Sequence, residues 1–162
     1  MEDSVFKRLH CLIVDDHTKT LRSIDAMLRA LGVSRIATAR NGAEALMKLD
    51  LAKSAVDCIL SRLWMPEGNG LQLLKAIRSG QTRSTRVDAC FILFSPTADP
   101  DAVKVAAGLD AHGVLVKPIT AEKLRRAIHS GRARYFAADM ARYTAQAVPQ
   151  GRPPTAEPRT HV

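Results

Sequence analysis

Two aspartates, an arginine, a serine and a lysine are the residues of this chain whose chemistry most needs an explanation. Asp15 and Asp16 end the apolar run L-I-V-D-D-H, and Arg62 stands inside D-C-I-L-S-R-L-W-M-P-E-G-N-G, Asp57 to Gly70. Ser95 closes a third apolar run, and Lys117 with Pro118 closes V-L-V-K-P. Two carboxylates, a guanidinium and an ammonium sum to zero formal charge, so the set can neutralise itself. At ~4 Å and an effective dielectric of ~20, each close pair is worth about 4 kcal/mol before desolvation is subtracted. The planar fork of arginine matches a carboxylate, but a guanidinium keeps its proton at physiological pH and attacks nothing. The expectation is an internal salt-bridge cluster of Asp15, Asp16, Arg62 and Lys117.

The elements that must hold these groups alternate. Leu9–Val14 is a short, nearly continuous apolar run of the kind a doubly covered parallel strand needs. Thr18 to Leu31 carries Leu21, Ile24, Leu28 and Leu31 at helical spacing and stops at Gly32. Further strands are expected at Arg35–Ala39, Asp57–Arg62, Ala89–Phe94 and Gly113–Val116. Helices are expected from Gly42 to about Leu51 behind an Asn41 cap, along Leu71, Leu74 and Ile77, over Asp101–Leu109, and after a Thr120 cap with Glu122 close behind. Five strands alternating with five helices predict an α/β doubly wound five-stranded parallel sheet. Such sheets place their crevice at the carboxyl ends of the strands, where Asp15, Asp16, Arg62, Ser95 and Lys117 all fall. Ser61 alternates to the other side of its strand, which makes it a packing residue.

Composition narrows the function. The chain has 162 residues, enough for one ordinary domain and an appendage. No apolar run approaches the ~20 residues of a membrane span, and MEDSVFKRLH lacks a secretory apolar core, so a cytoplasmic protein is expected. Cys11, Cys58 and Cys90 each lie inside an apolar run without CxxC spacing, which reads as reduced, buried thiols. The net charge is +8, with 19 Lys/Arg against 14 Asp/Glu in residues 1–130 and 5 against 2 in residues 131–162. That spread, with only 4% aromatic residues, argues against DNA binding. His10, His17, His112, His129 and His161 show no metal spacing and read as surface or loop histidines.

The D-D pair, the M-P-x-x-x-G segment and K-P, in this order and separation, resemble the receiver domain of bacterial two-component response regulators. The resemblance covers residues 8–130, in the gapless rhythm of CheY-like single-domain receivers, and implies the flavodoxin-like strand order 2-1-3-4-5. In that family the residue four before the Met-Pro proline is the phosphate-accepting aspartate; four before Pro66 stands Arg62. The resemblance assigns Asp15 and Asp16 to a magnesium site, the Trp64 backbone carbonyl to the same ion, Ser95 and Lys117 to the phosphate, and a cis bond to Lys117-Pro118. Arg62 removes the nucleophile and puts a fixed positive charge where the dication would sit, so no magnesium and no phosphorylation are expected; Asp15 and Asp16 remain the metal ligands if magnesium is retained. Asn69 replaces the acid of M-P-x-x-D-G, and Val114 occupies the fifth-strand position where many receivers carry an aromatic switch. The expected protein is a non-enzymatic, atypical response regulator.

Beyond Ser130 the sequence changes character. Residues 131–147 can continue as a helix with Phe136, Met140, Tyr143 and Ala147 on one face, and residues 148–162 form a proline-rich segment expected to be disordered. Three functions follow. The first is a pseudo-receiver that binds a signalling protein, such as a histidine kinase or a motor or chemotaxis component, or a second copy of itself. Its surface would include Val103, Ala107, Val114, Phe136, Met140 and Tyr143. The second is a ligand-responsive regulator whose Arg125, Arg126, Arg132, Arg134 and Arg142 gather around an anion such as a cyclic dinucleotide, with Tyr135 or Phe136 stacking on a base. The third is a receiver phosphorylated on another acceptor.

Overall fold

The computed structural model of the protein describes residues 2–134 and 136–151. Its elements in chain order are α1 (Glu2–Arg8), β1 (His10–Val14), α2 (Thr18–Leu31), β2 (Arg35–Ala39), α3 (Gly42–Leu51), β3 (Cys58–Arg62), α4 (Gly70–Arg78), β4 (Cys90–Ser95), α5 (Pro100–Gly108), β5 (Gly113–Val116), α6 (Ala121–Ala133) and α7 (Met140–Ala145). The five strands form one sheet in the order β2-β1-β3-β4-β5, and every neighbouring pair is parallel. This is the doubly wound arrangement that the alternating sequence pattern demands.

The strands bury both faces. Leu12, Val14, Ile59, Phe91 and Leu93 belong to one core cluster with α4 residues Leu71, Leu74 and Ile77. Cys11, Ile13, Cys58, Leu60, Ile92 and Phe94 alternate to the other, against Leu21, Ile24, Leu28, Leu124 and Ile128 of α2 and α6. Period-two alternation thus divides residues between two cores, and the central strands β1, β3 and β4 are covered on both faces.

Local chemistry fixes the helix ends. Asn41 and Thr120 accept hydrogen bonds from the Glu44 and Lys123 amides, and Gly32 ends α2 at φ 113°. At Gly70 the first turn of α4 passes so close to β3 that a Cβ would lie 2.5 Å from the Arg62 carbonyl oxygen. This close approach is what lets α4 start directly beneath the Arg62 crevice.

Two elements depart from the sequence expectation. Helix α1 was not anticipated; it lacks an extended apolar period, and its Phe6 is buried in the second core cluster. The last helix does not run through to residue 147. It ends at Ala133, with Arg134 extended at ψ 128°, and α7 begins behind Asp139, whose side chain accepts from the Arg142 amide. The break turns Phe136 inward, 5.2 Å from the Arg78 guanidinium carbon and 5.4 Å from the His112 ring.

Beyond the break the extension runs along α4 from its carboxyl end toward its amino end. Tyr143 is fully buried, and its hydroxyl donates to Asp110 Oδ2 at 2.7 Å. Lys75 Nζ donates to the Gln146 carbonyl at 2.7 Å, and Asn69 Nδ2 to the Pro149 carbonyl at 2.9 Å. Residues 148–151, expected to belong to a disordered segment, therefore begin as docked chain; residues 152–162, with His161, lie outside the described residues.

Candidate functional site

Three strand ends build the site. Asp15 follows β1 with its amide donating to the Ala39 carbonyl of β2 at 3.0 Å, and its side chain is fully buried. Its Oδ1 accepts from the His17 amide at 2.8 Å. Asp16 lies nearer the rim, and its carbonyl accepts from Arg40 Nη2 at 2.8 Å. Arg62, the last residue of β3, sends a mostly buried side chain across this space.

The Arg62 guanidinium makes two hydrogen bonds and two ion pairs. Nε donates to the Trp64 carbonyl at 3.0 Å, and Nη1 lies 2.9 Å from His17 Nδ1. Nη1 is 3.8 Å from Asp15 Oδ1, and Nε is 3.9 Å from Asp16 Oδ1. The fork-to-fork pairing expected from arginine's shape is therefore absent: the guanidinium lies beside the acids while its hydrogen bonds go elsewhere. At this separation the Coulomb attraction is still about 4 kcal/mol per pair at an effective dielectric of ~20, before desolvation.

His17 belongs to the site, contrary to its reading as an ordinary loop histidine. Its Nδ1 lies 3.3 Å from Asp15 Oδ1 and 3.5 Å from Asp16 Oδ1, besides its contact with Arg62. A guanidinium N–H can only donate, so Nδ1 is the acceptor of that contact. No spacing rule singles this residue out; the tight turn after β1 folds its ring back over the acids.

Lys117 stands apart. Among the described residues it forms no ion pair, and its Nζ lies 5.9 Å from the Phe94 ring centroid. The observed cluster is thus Asp15, Asp16, Arg62 and His17, with His17 in the place expected for Lys117. A strand-end lysine need not reach the acids when an arginine already lies against them. Ser95 is buried, its Oγ accepting from the Thr97 amide at 3.4 Å, and Lys117-Pro118 is cis. Ser61 is buried on the other side of β3, where its hydroxyl donates to the Arg62 carbonyl. Trp64 is half-buried, with Nε1 donating to Asp99 Oδ2 at 3.3 Å. Asn69 caps α4 in a reciprocal box with Gln72.

Does this donor set suit a divalent ion? A hard cation wants several free oxygens. Asp15 Oδ2 and Asp16 Oδ1 are buried without hydrogen-bond partners, which supplies two. The Trp64 carbonyl already accepts from Arg62, a third carboxylate is missing, and a guanidinium lies within 4 Å of both acids. With Arg62 in this position the residues do not fit magnesium.

The five arginines proposed to gather around an anion are dispersed. Arg125 and Arg126 both bind Glu122, whose carboxyl is held down to about 2 by the hydrogen bonds from Arg125 and Arg126. Arg142 and Arg134 pair with Asp110, and Arg132 lines a cleft that Arg134 also borders. Glu122 stands one turn earlier on α6, whereas Asp110 comes from the loop before β5, which the linear sequence does not bring beside Arg134 and Arg142. Tyr135 lies outside the described residues. Of the proposed contact surface, Val103 and Ala107 are exposed and Val114 is half-buried. Tyr143 is internal and Phe136 half-buried, because the interruption between α6 and α7 folds them onto α4 and Arg78; Met140 is 44% exposed.

Sequence reasoning also passed over Arg78. It is fully buried, yet its guanidinium donates to the carbonyls of Leu109, Val87, Ala89 and Asp110. Burial pulls its pKa down to about 10, so it stays charged at neutral pH. The signal was an arginine on the apolar face of α4, which resembles any solvated helix residue until the loops around it are placed.

Comparison with known proteins matches residues 11–129 to the response regulator receiver domain. A probable chemotaxis protein CheY of Rhizobium etli is 32% identical over 127 residues, covering 78% of this chain and 95% of that protein. The sensory/regulatory protein RpfC of Xanthomonas campestris is 29% identical over 118 residues, which span 16% of its length. Among solved structures, the chemotaxis response regulator CheY4 of Vibrio cholerae superposes with a TM-score of 0.65 at 26% identity, covering 76% of this chain and 98% of that one. The CheX–CheY–BeF3–Mg complex of Borrelia burgdorferi gives 0.68 at 24% identity, covering 78% and 90%. No helix among the described residues is long and apolar enough to cross a membrane. With the parallel sheet, the acid pair after β1 and the cis Lys117-Pro118 bond already in place, the match over most of its length makes this chain a member of the response regulator receiver family, the non-enzymatic signalling module of two-component systems.

Proposed function

We propose that the protein is a pseudo-receiver: it takes part in two-component signalling by binding another signalling protein, without aspartyl phosphorylation and without magnesium. One observation carries this reading. The Arg62 guanidinium lies between Asp15, Asp16 and the Trp64 carbonyl, the three groups that the family resemblance assigns to the ion. Arg62 provides both the positive charge and the hydrogen bond that a hydrated cation would otherwise bring, and it offers no nucleophile. The face around Val103, Ala107 and Val116 supports a docking role, because the C-terminal extension packs along α4 and leaves it uncovered. A histidine kinase or a chemotaxis-type component is the class of partner that such a face suits.

The test uses a small acyl phosphate donor with magnesium, followed by intact mass. The expected outcome is an unmodified protein, while Arg62→Asp gains one phosphoryl group. Trp64 is the sole tryptophan and adjoins the site, so its fluorescence reports the metal directly. Magnesium is expected to leave the wild-type emission unchanged and to quench that of Arg62→Asp. A phosphoryl adduct on the wild-type chain would overturn the proposal.

A further inference from the structure

Cys11, Cys58 and Cys90 are scattered in sequence but adjacent in the sheet. Cys11 pairs in register with Cys58, and Cys58 with Cys90, across β1, β3 and β4. All three are free thiols in the same core cluster, so their side chains share one face. Neighbouring strands lie ~4.8 Å apart, inside the ~4.4–6.8 Å range of Cα separations that a disulfide accepts. Either adjacent pair can bridge with the strands in place. Cys11 and Cys90, two strands apart at roughly 9.6 Å, cannot.

The three thiols differ in access. Cys90 opens β4, at the end of the strands remote from Arg62. It lines a cleft of about 220 Å³ together with His112, Arg132, Arg134, Asp57 and the paired Arg86 and Asp88. Cys11 and Cys58 are wholly enclosed. Gly131 forms part of the same wall, where a Cβ would lie only 2.9 Å from Cys90 Sγ. The absence of a side chain at Gly131 therefore lets α6 pack directly against the sulfur. Electrostatics favour the same order. The hydrogen bond from Cys58 and the charges of Arg132 and Arg78 hold the Cys90 thiol below its ordinary range against the effect of burial. Cys58 is pushed up by its hydrogen bonds to Cys11 and Cys90 and by burial. A thiol that lines a polar cleft and is backed by a second thiol in register is the arrangement of a redox-sensing pair.

We propose that Cys90 and Cys58 form a peroxide-sensitive dithiol that closes to a disulfide between β3 and β4. The Cys90 thiolate attacks one oxygen of a hydroperoxide entering through the cleft. The O–O bond breaks, giving a Cys90 sulfenic acid and an alkoxide or hydroxide, which takes up a proton. Cys58 then gives up its proton and attacks Cys90 Sγ; the S–O bond breaks and water leaves. Two thiols and one hydroperoxide become a disulfide, a water and an alcohol or second water. An external dithiol reverses the reaction by exchange. The bridge joins the strands at the end remote from Asp15 and Arg62, which gives the domain an input independent of phosphoryl transfer.

The fully reduced protein is treated with dilute hydrogen peroxide, unfolded, alkylated and weighed. The expected product has lost two hydrogens and keeps one alkylatable thiol of the original three. Peptide mapping should join Cys58 to Cys90, and dithiothreitol should restore all three thiols. Cys11→Ser should still bridge, and Cys90→Ser should keep both of its thiols. Three intact thiols in peroxide-treated wild type, oxygen added at Cys90 without a bridge, or a bridge between two chains would each overturn the proposal, and none of these readings depends on a variant folding.

Discussion

A guanidinium and a hydrated dication neutralise the same acids by different means, and the Arg62 crevice lets the two be compared. Asp15 is fully buried, so removing Arg62 leaves its charge and that of Asp16 facing each other in a low dielectric. The pairs are 3.8 and 3.9 Å long and the arginine keeps some solvent contact, which places the loss below that of an ideal buried pair. Arg62→Ala is expected to cost roughly 2–3 kcal/mol in urea unfolding, and magnesium should recover part of it by binding the folded state. The wild type should show no such magnesium dependence. His112 gives a second residue-scale prediction. Burial, then the charges of Arg78 and Arg134, pull its pKa down to about 4, while its Nδ1 accepts from the Phe91 amide at 3.0 Å. Between about pH 6.5 and pH 4 the unfolded chain takes up a proton that the folded ring refuses, so stability falls as pH falls through that window. Because the ring is partly exposed, the contribution is discounted to roughly 1–2 kcal/mol. His112→Asn, which keeps an acceptor for the Phe91 amide, should flatten the decline of the thermal midpoint over the same range. Arg62 and the acid pair were legible as a site from spacing alone. His17 was not, because its place over the acids depends on the path of one turn.

At the scale of elements, the extension and α4 hold each other. Asn69 does two jobs at once: Oδ1 caps α4 by accepting from the Gln72 amide, while Nδ2 donates to the Pro149 carbonyl. Aspartate would keep the cap but set a carboxylate against a carbonyl. Asn69→Asp should therefore leave the thermal midpoint nearly unchanged and speed hydrogen exchange at Gln146 to Gly151, read by mass spectrometry. The apparent oddity of Asn69 in a receiver loop has its reason in a residue 80 positions away. The same holds for the end of α6. Periodicity continues helically through Phe136 to Ala147, yet Phe136 gains more by packing between Arg78 and His112, and Asp139 restarts the helix. Sequence periodicity records which residues want burial; it does not record that a buried guanidinium on α4 offers them a place.

For the whole molecule, the extension supplies core to one side and leaves the other open. Tyr143 joins the cluster that contains Ala102, Ala106 and Leu74, and Asp110 accepts hydrogen bonds from both Tyr143 and Arg142. Deleting residues 134–162 should bare an apolar groove beside α4, lower the thermal midpoint and raise the apparent mass in light scattering as copies associate. The exposed residues Val103, Ala107 and Val116 lie outside this groove, so charged substitutions there should weaken partner binding without changing the stability of the chain.

The sequence by itself determined the alternation of strands and helices, hence a parallel doubly wound sheet, and with it the convergence of Asp15, Asp16 and Arg62 at the strand ends. Those features follow from periodicity, caps and chain order, which are local properties. Tertiary structure alone decided that Arg62 spends its hydrogen bonds on Trp64 and His17, that Lys117 stays out of the cluster, that five arginines are already paired or dispersed, and that three distant cysteines stand side by side. Each of these depends on which side chains meet across strands and loops. That is a matter of distances of a few ångströms between residues far apart in the chain, and no local pattern encodes it.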